Sequence, residues 1–176
     1  MTDPGTYVEV DGRPAVRFVR TYAHPIERVW AAVTTPDGLA RWFPAAVEID
    51  LRAGGVVWFR GDPHTEDRPG RVLACEPPCS LAIAWGGDEL RFELEALGDG
   101  RCRFTLIDVL DARDAAARNA AGWDVCLGEL DKHLAGEPTA GPHGPDAKPW
   151  RPCYDAYVAA GLPAGAFIPS GPGTGA

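Results

Sequence analysis

The sequence has little of what marks a membrane-spanning, secreted or nucleic-acid-binding protein. Its 176 residues contain no apolar run near the roughly 20 residues that a membrane-spanning helix requires. The first residues, M-T-D-P-G-T-Y, are neither basic nor apolar, so no secretion signal is predicted and we expect a cytoplasmic protein. Basic residues are also few. Seventeen lysines and arginines against 25 aspartates and glutamates give a net charge of −8, which argues against a nucleic acid or an anionic membrane as partner.

Metal-binding and disulfide patterns are lacking as well. The five cysteines are odd in number and include no C-x-x-C pair, and the four histidines show no metal-ligand spacing. Cys75 and Cys79 flank Pro77-Pro78, but a disulfide is rare in a cytoplasmic protein. We therefore predict no metal site and no cofactor. The cysteines are interpreted as small buried hydrophobic residues.

The composition is typical of a globular protein, with 45% hydrophobic and 24% charged residues. We divide the chain into an N-terminal segment (1–14), one domain with its own core (15–136) and a tail rich in proline and glycine (137–176). Within the tail, residues 153–160 could form two helical turns. Because its aromatic residues are too apolar for a free linker, we expect this part to dock on the domain or on a partner.

The periodicity of the domain changes from strand to helix and back to strand. Residues 15–22 are β-branched and aromatic, which predicts a strand. Apolar residues then recur at 26, 29, 30 and 33, which predicts a short amphipathic helix, and Thr35-Pro36 begins a second one. Six strands joined by turns follow, at 45–51, 56–60, 70–76, 80–85, 89–97 and 101–110. Consecutive hairpins predict an antiparallel sheet of seven strands with one buried face.

A long helix is predicted over Asn119–Leu134. One face carries Trp123, Leu127, Leu130 and Leu134, at spacings of four, three and four, and we expect it to lie across the sheet. Charged residues between them suit a solvated face, namely Asp124, Glu129, Asp131 and Lys132. Gly122 costs about 1 kcal/mol relative to alanine in a helix interior, so we expect backbone or a bound molecule to approach closely there. The alternative is a plain packing helix whose Trp123 belongs to the core.

The order of these elements and several short motifs resemble the START-like (SRPBCC, birch-pollen-allergen-like helix-grip) superfamily. More narrowly, the chain is similar to the branch homologous to the activator of heat-shock protein 90 ATPase. The resemblance covers residues 15–135. It rests on A-H-P-I-E-R-V-W at Ala23–Trp30, T-T-P-D-G-L-A-R-W-F at Thr34–Phe43, G-R-V-L-A-C-E-P-P at Gly70–Pro78, A-I-A-W at Ala82–Trp85 and G-W-D-V-C-L-G-E-L at Gly122–Leu130.

The resemblance implies an α+β helix-grip fold, in which a curved antiparallel sheet and two short helices enclose a cavity against the long C-terminal helix. It also implies that the cavity holds a small hydrophobic molecule. The expected ligand-binding residues are Trp30, Trp42, Phe43, Trp58, Trp85, Phe92, Phe104, Asn119, Trp123 and Leu127. Six tryptophans could equally fill the interior and leave no cavity, so both alternatives stay open.

Catalysis has less support in the sequence. Enzymes of the superfamily carry polar side chains in the cavity, and the candidates here are Asp108, Arg20 and Arg103. By strand alternation Asp108 shares a face with Phe104 and Leu106. An inward Asp108 would need a partner, for which Arg20 is a candidate, or a raised pKa. The alternative places Asp108 in solvent at the strand end and Arg20 on the rim. Many members of the branch have a histidine where this chain has Asn119, which counts against histidine-dependent chemistry.

Three functions remain open at this point. The favoured one is binding of a small hydrophobic ligand without catalysis. The others are a cyclase- or dehydratase-like enzyme acting on a hydrophobic substrate, and a protein-interaction or chaperone-regulating module. A homodimer or another protein partner stays open with each of them.

Overall fold

A single antiparallel sheet packs against the longest helix of the chain. The computed structural model describes residues 2–169, so Met1 and the last part of the predicted tail (170–176) lie outside it. Neighbouring strands are all antiparallel, in the order β1-β2-β8-β7-β6-β5-β4-β3. The strands are β1 Thr6–Val10, β2 Arg13–Tyr22, β3 Ala46–Ile49, β4 Val56–Arg60, β5 Arg68–Glu76, β6 Ser80–Trp85, β7 Asp88–Gly98 and β8 Arg101–Val109. The predicted helix-grip fold is confirmed.

The described residues form eight strands where seven were predicted. The additional strand is β1, inside the N-terminal segment (1–14), for which no strand was predicted. Asp11 and Gly12, with φ values of 52° and 76°, form the turn that returns β1 onto β2. Because β1 is short and lies at the sheet edge, only part of each side chain is covered, and its hydrophobic pattern is correspondingly weak.

Two short helices follow β2. The first, α1, spans Ile26–Thr34, and the second, α2, spans Pro36–Leu39. The Thr35 hydroxyl accepts a hydrogen bond from the Gly38 backbone N–H at 3.1 Å, as expected of a helix cap. Just beyond α2, the Trp42 indole N–H donates to the Ala32 carbonyl at 3.0 Å. This bond holds the chain after α2 against α1 and directs the indole into the core.

The long helix, α3, spans Ala116–Leu134 and so begins three residues before the predicted start. Its predicted apolar face is buried, as expected. Glu129 was expected in solvent, but its side chain is only 2% exposed. Its carboxylate accepts hydrogen bonds from the Lys132 ammonium at 2.6 Å and from the Thr139 hydroxyl. The reason is that the chain after α3 turns back across this face of the helix, which the pattern of one helix cannot reveal.

The chain after α3 is held to the domain by a series of polar contacts. Lys132 donates to the Asp146 carbonyl at 3.0 Å, and Lys148 pairs with Asp124 at 3.1 Å. A fourth helix, α4, spans Trp150–Ala159 and packs on α3. Its Tyr157 is buried, and the hydroxyl accepts the Gly5 backbone N–H at 2.8 Å. The tail up to residue 169 thus contributes to the fold.

Gly122 does not make the close contact that was expected of it. A Cβ atom added to Gly122 or to Gly128 would meet nothing within 4 Å. We therefore expect Gly122→Ala and Gly128→Ala each to raise the free energy of unfolding by about 0.5–1 kcal/mol, because alanine loses less backbone entropy on folding. Urea denaturation followed by circular dichroism measures the change.

The matched control is Gly38→Ala, whose Cβ would lie 2.5 Å from the Ala31 carbonyl oxygen. This variant is expected to destabilise the protein. If Gly122→Ala were as destabilising as Gly38→Ala, the helix surface at Gly122 would have to be covered in solution.

Candidate functional site

Aromatic rings occupy the space between the sheet and α3. The rings lie on α3, on four strands and on the segment after α2, and they contact one another in a continuous series with centroid separations from 4.7 to 6.5 Å. We call this group the ring cluster, and its members are Trp42, Phe43, Phe59, Trp85, Phe92, Phe104 and Trp123. Of the two alternatives left open by the sequence, this structure has rings packed on one another rather than rings spaced around a void.

Trp58 is not part of the cluster, although it was expected to point inward. Its side chain is 37% exposed, and the Arg60 guanidinium lies over its ring at 4.7 Å. Phe59, which was not among the predicted residues, takes the inward place. Strand alternation decides this: Trp58 pairs with Glu48 across β3–β4 and shares its face with Arg60. Those two charges were the signal that should have placed Trp58 outside.

Two other predicted ligand-binding residues lie at different depths in the core. Trp30 is half-buried and packs at the margin of the core, separately from the ring cluster. Leu127 is fully buried, one turn beyond Trp123 on α3.

A polar group lies at one end of the ring cluster. The Asp108 carboxylate is only 3% exposed. It accepts hydrogen bonds at Oδ2 from the Trp123 indole N–H at 2.9 Å and from the Asn119 amide at 3.0 Å. The same Asn119 nitrogen donates to Asp88 Oδ2 at 3.1 Å, and the Asp111 backbone N–H donates to Asp88 Oδ1 at 2.8 Å. We call Asp88, Asp108, Asn119 and Trp123 the carboxylate group.

Burial raises the pKa of Asp108 to about 7, and the nearby Asp88 carboxylate adds to the increase, while the bonds from Trp123 and Asn119 oppose it. The pKa of Asp88 is also raised by burial. Two carboxylates that share one donor therefore favour holding a proton near neutral pH. A protonated Asp108 can donate a hydrogen bond to a ligand oxygen, and an ionised one can accept from a ligand hydroxyl or amine.

Arg20, the candidate partner of Asp108, does not pair with it, and the alternative that placed Asp108 in solvent and Arg20 on the rim is also wrong, because both side chains are buried. In the β2–β8 register Asp108 lies opposite Val16, whereas Arg20 lies opposite Phe104. Four residues along a strand amount to ~13 Å. Arg20 is buried against α3 instead, where it lies 3.7 Å from Asp131 and 4.0 Å from Asp124 and donates to the Asp3 carbonyl at 2.8 Å.

Arg103 lies on the opposite face of the sheet, where it pairs with Glu95 at 2.6 Å. Among the three polar candidates, only Asp108 therefore reaches the ring cluster. Asp88 was missed by sequence reasoning, although a signal existed. The alternation of β7 places Leu90 and Phe92 inward, and extending it by two residues brings Asp88 to the same face.

Phe43 is the member of the ring cluster that borders a surface cleft. A cleft of about 180 Å³ is lined by Phe43, by its neighbours Pro44 and Ala45, and by residues 140–143. On its inner side, the Phe43 ring contacts Trp85 at 5.3 Å and Trp123 at 5.6 Å. Trp85 is half-buried. Phe43 therefore lies between the cleft and the rings next to Asp108.

Over residues 2–169, no group of three or more histidine, cysteine, aspartate or glutamate side chains is arranged to hold a metal ion. The helices of this part of the chain include none that is long and apolar enough to cross a membrane.

Comparison with known proteins agrees with the observed architecture. The family model described as "Activator of Hsp90 ATPase homolog 1-like protein" matches residues 23–135. Three solved structures overlap nearly the whole chain. CalU16 from Micromonospora echinospora is 23% identical and has a TM-score of 0.69, with 90% of this chain and 96% of that chain covered. EF2215 from Enterococcus faecalis, a conserved protein of unknown function, is 18% identical with a TM-score of 0.71, and 89% of each chain is covered.

BPP1335 from Bordetella parapertussis is 27% identical with a TM-score of 0.63, and 90% of this chain and 89% of that chain are covered. No curated protein matches the chain. At these identities the structural similarity supports the fold, and function has to be argued from the residues themselves.

Proposed function

Because the chain belongs to the family of activator of Hsp90 ATPase homolog 1-like proteins, in the START-like (SRPBCC) superfamily, we propose that it binds a small hydrophobic molecule between the sheet and α3. The ligand carries one hydrogen-bonding group. Its apolar part lies against the rings around Trp123, and its polar group meets Asp108. Binding requires Phe43 to move, because that ring separates the surface cleft from the interior.

The observation that carries this proposal is the burial of Asp108 beside an otherwise apolar ring cluster. Burying a carboxylate costs free energy unless it is paired, and no cation pairs with Asp108 within residues 2–169. Packing alone does not require a carboxylate at this position, because a neutral acceptor would also satisfy the Trp123 and Asn119 donors. A ligand group that hydrogen-bonds Asp108 would offset the free-energy cost of burying this carboxylate.

The expected ligand-binding residues are accordingly those that surround Trp123. They are Trp42, Phe43, Trp85, Phe92, Phe104, Asn119 and Leu127, with Phe59 in place of Trp58. Trp30 lies at the margin of the core, outside this arrangement. A cyclase- or dehydratase-like enzyme has less support, because its candidate residues Asp108 and Arg20 face different parts of α3.

A second candidate function is protein interaction, and a separate observation favours it. Val56, Trp58 and Leu73 are exposed on β4 and β5, at 45%, 37% and 47%. Exposed apolar residues on neighbouring strands suit contact with a protein partner or a second copy of the chain.

A fluorescence titration with the neutral probe N-phenyl-1-naphthylamine tests ligand binding. We expect the probe to brighten and to quench tryptophan emission on binding. Phe43→Ala should bind it about tenfold more tightly, a gain of about 1.4 kcal/mol, because the ring no longer has to be displaced. Native mass spectrometry of the freshly purified protein would identify a co-purifying molecule.

Trp58→Ala is the matched control, since it removes an aromatic ring from the outer face of the sheet. It is expected to bind the probe like the unmodified protein. If Trp58→Ala lost the probe while Phe43→Ala left the affinity unchanged, the site would be the outer apolar surface, and the interaction function would be favoured. Absence of binding by both the unmodified protein and a folded Phe43→Ala variant would refute the proposal.

A further inference from the structure

A second, wider cleft lies next to the first and shares Ala40 and Ala140 with it. Its volume is about 670 Å³, and it is bounded by α1, α2, the end of α3 and residues 139–140. Much of its surface consists of small residues, namely Ala31, Ala32, Gly38, Ala40 and Ala140. Small residues leave the cleft open, and its volume is in the range of small-molecule sites.

The charged residues of this cleft are mainly basic, in a chain whose net charge is −8. Arg28, Arg41 and His133 line it, with Asp37 as its one acidic residue. Within residues 2–169 neither guanidinium has a carboxylate within 4.0 Å, whereas seven other arginines of this part of the chain do. Two cations facing one cleft repel each other, and an anion between them removes that repulsion.

The side chains of Arg28 and Arg41 also do not donate to the backbone carbonyl groups at the end of α3. Backbone N–H groups of Ala135, Gly136 and Glu137 already bond to carbonyls of its last turn, and the His24 ring contacts the Leu134 carbonyl. Both guanidinium groups are therefore free to bind a ligand. Burial lowers the pKa of His133, and the nearby Arg41 and Arg28 guanidinium groups lower it further, so these three side chains lie close together.

We propose that this cleft binds a small organic anion, whose phosphate or carboxylate group is held by Arg28 and Arg41 and whose apolar body lies on the alanine surface. A guanidinium presents a planar pair of donors that matches both groups. The site is separate from the carboxylate group beside the ring cluster. Its ligand is an anion, whereas the ligand of the proposed function is a small hydrophobic molecule. The inference therefore stands or falls independently of the proposed function.

Calorimetric titration with phenyl phosphate, benzoate, inorganic phosphate and neutral benzyl alcohol tests this inference. We expect phenyl phosphate or benzoate to bind at least tenfold more tightly than benzyl alcohol, and whichever binds more tightly identifies the anionic group. The double variant Arg28→Gln/Arg41→Gln should lose at least tenfold in affinity. Inorganic phosphate binding as tightly as phenyl phosphate would refute the part played by the alanine surface.

The control variant Arg17→Gln/Arg101→Gln removes the same charge from exposed strand positions and should bind like the unmodified protein. A proton NMR titration adds a second readout, since a bound anion should raise the pKa of the His133 ring. Equal losses in the two double variants would indicate general electrostatics rather than a site. Equal affinity of the Arg28→Gln/Arg41→Gln variant and the unmodified protein, or no detectable binding of either aromatic anion, would overturn the inference.

Discussion

Replacing Trp42 by alanine is expected to lower the free energy of unfolding by about 3–5 kcal/mol, the largest effect of any single substitution considered for this protein. Trp42 is completely buried, and its ring contacts Phe43, Phe92, Phe104 and Trp123. Truncation removes the centre of the ring cluster and leaves a cavity that the surrounding rings can only partly close. It also breaks the bond to the Ala32 carbonyl. Urea denaturation followed by circular dichroism measures the loss.

Two further variants make the prediction specific to the ring cluster. Trp42→Phe keeps most of the apolar volume and should lower the free energy of unfolding by less than Trp42→Ala does. The effect can therefore still be measured with Trp42→Phe if the alanine variant does not fold. Trp58→Ala removes the same side chain from the outer face, and we expect a loss below about 1 kcal/mol there. Similar losses for Trp42→Ala and Trp58→Ala would contradict the central position assigned to Trp42.

The stability of the protein is expected to fall as the pH rises from about 4 to about 7, and Asp108→Asn should remove most of that fall. The pKa of Asp108 is about 7 in the folded protein and about 3.9 in an unfolded chain. Below a pH of about 3.9 the Asp108 carboxyl group is protonated in both the folded and the unfolded state, so its contribution to stability is fully present. Between the two values only the folded state keeps the proton, so stability declines as pH rises.

The pKa difference of Asp108 corresponds to a loss on the order of 4 kcal/mol. Burial also raises the pKa values of Asp88 and Asp131, so both contribute in the same direction. Urea denaturation at several pH values between 4 and 8 measures the slope. Asp146→Asn, which removes one carboxylate from an exposed position, is the control and should follow the unmodified protein. Parallel curves for Asp108→Asn and the unmodified protein would show that Asp108 does not titrate in this range.

Most elements of the fold could be predicted from the sequence because their signals are local. The alternation of apolar residues over 89–97 and the helical spacing of residues 26, 29, 30 and 33 depend on neighbours within one element. The Thr35-Pro36 pair likewise predicted the start of α2, and the structure has the expected hydrogen bond there. β1 escaped prediction because an edge strand buries too little for its pattern to stand out.

The candidate site was only partly predictable, because it depends on how strands align. Sequence alternation placed Asp108 on the face of Phe104 and Leu106, and the structure agrees. It could not indicate whether Arg20 lies opposite Asp108, since that requires the register between β2 and β8. Asp88 entered the carboxylate group for the same reason: it is brought to Asn119 by the pairing of β7 with β8.

By itself the sequence determined the order and type of the elements, the buried face of α3 and the family to which the chain belongs. Each of these follows from the side-chain pattern of short segments. Only the tertiary structure decided that rings occupy the interior, that Glu129 is buried beneath the returning chain, and that Arg28, Arg41 and His133 meet at one cleft. Those outcomes depend on contacts between residues far apart in the chain, whose geometry is set by register and packing rather than by local periodicity.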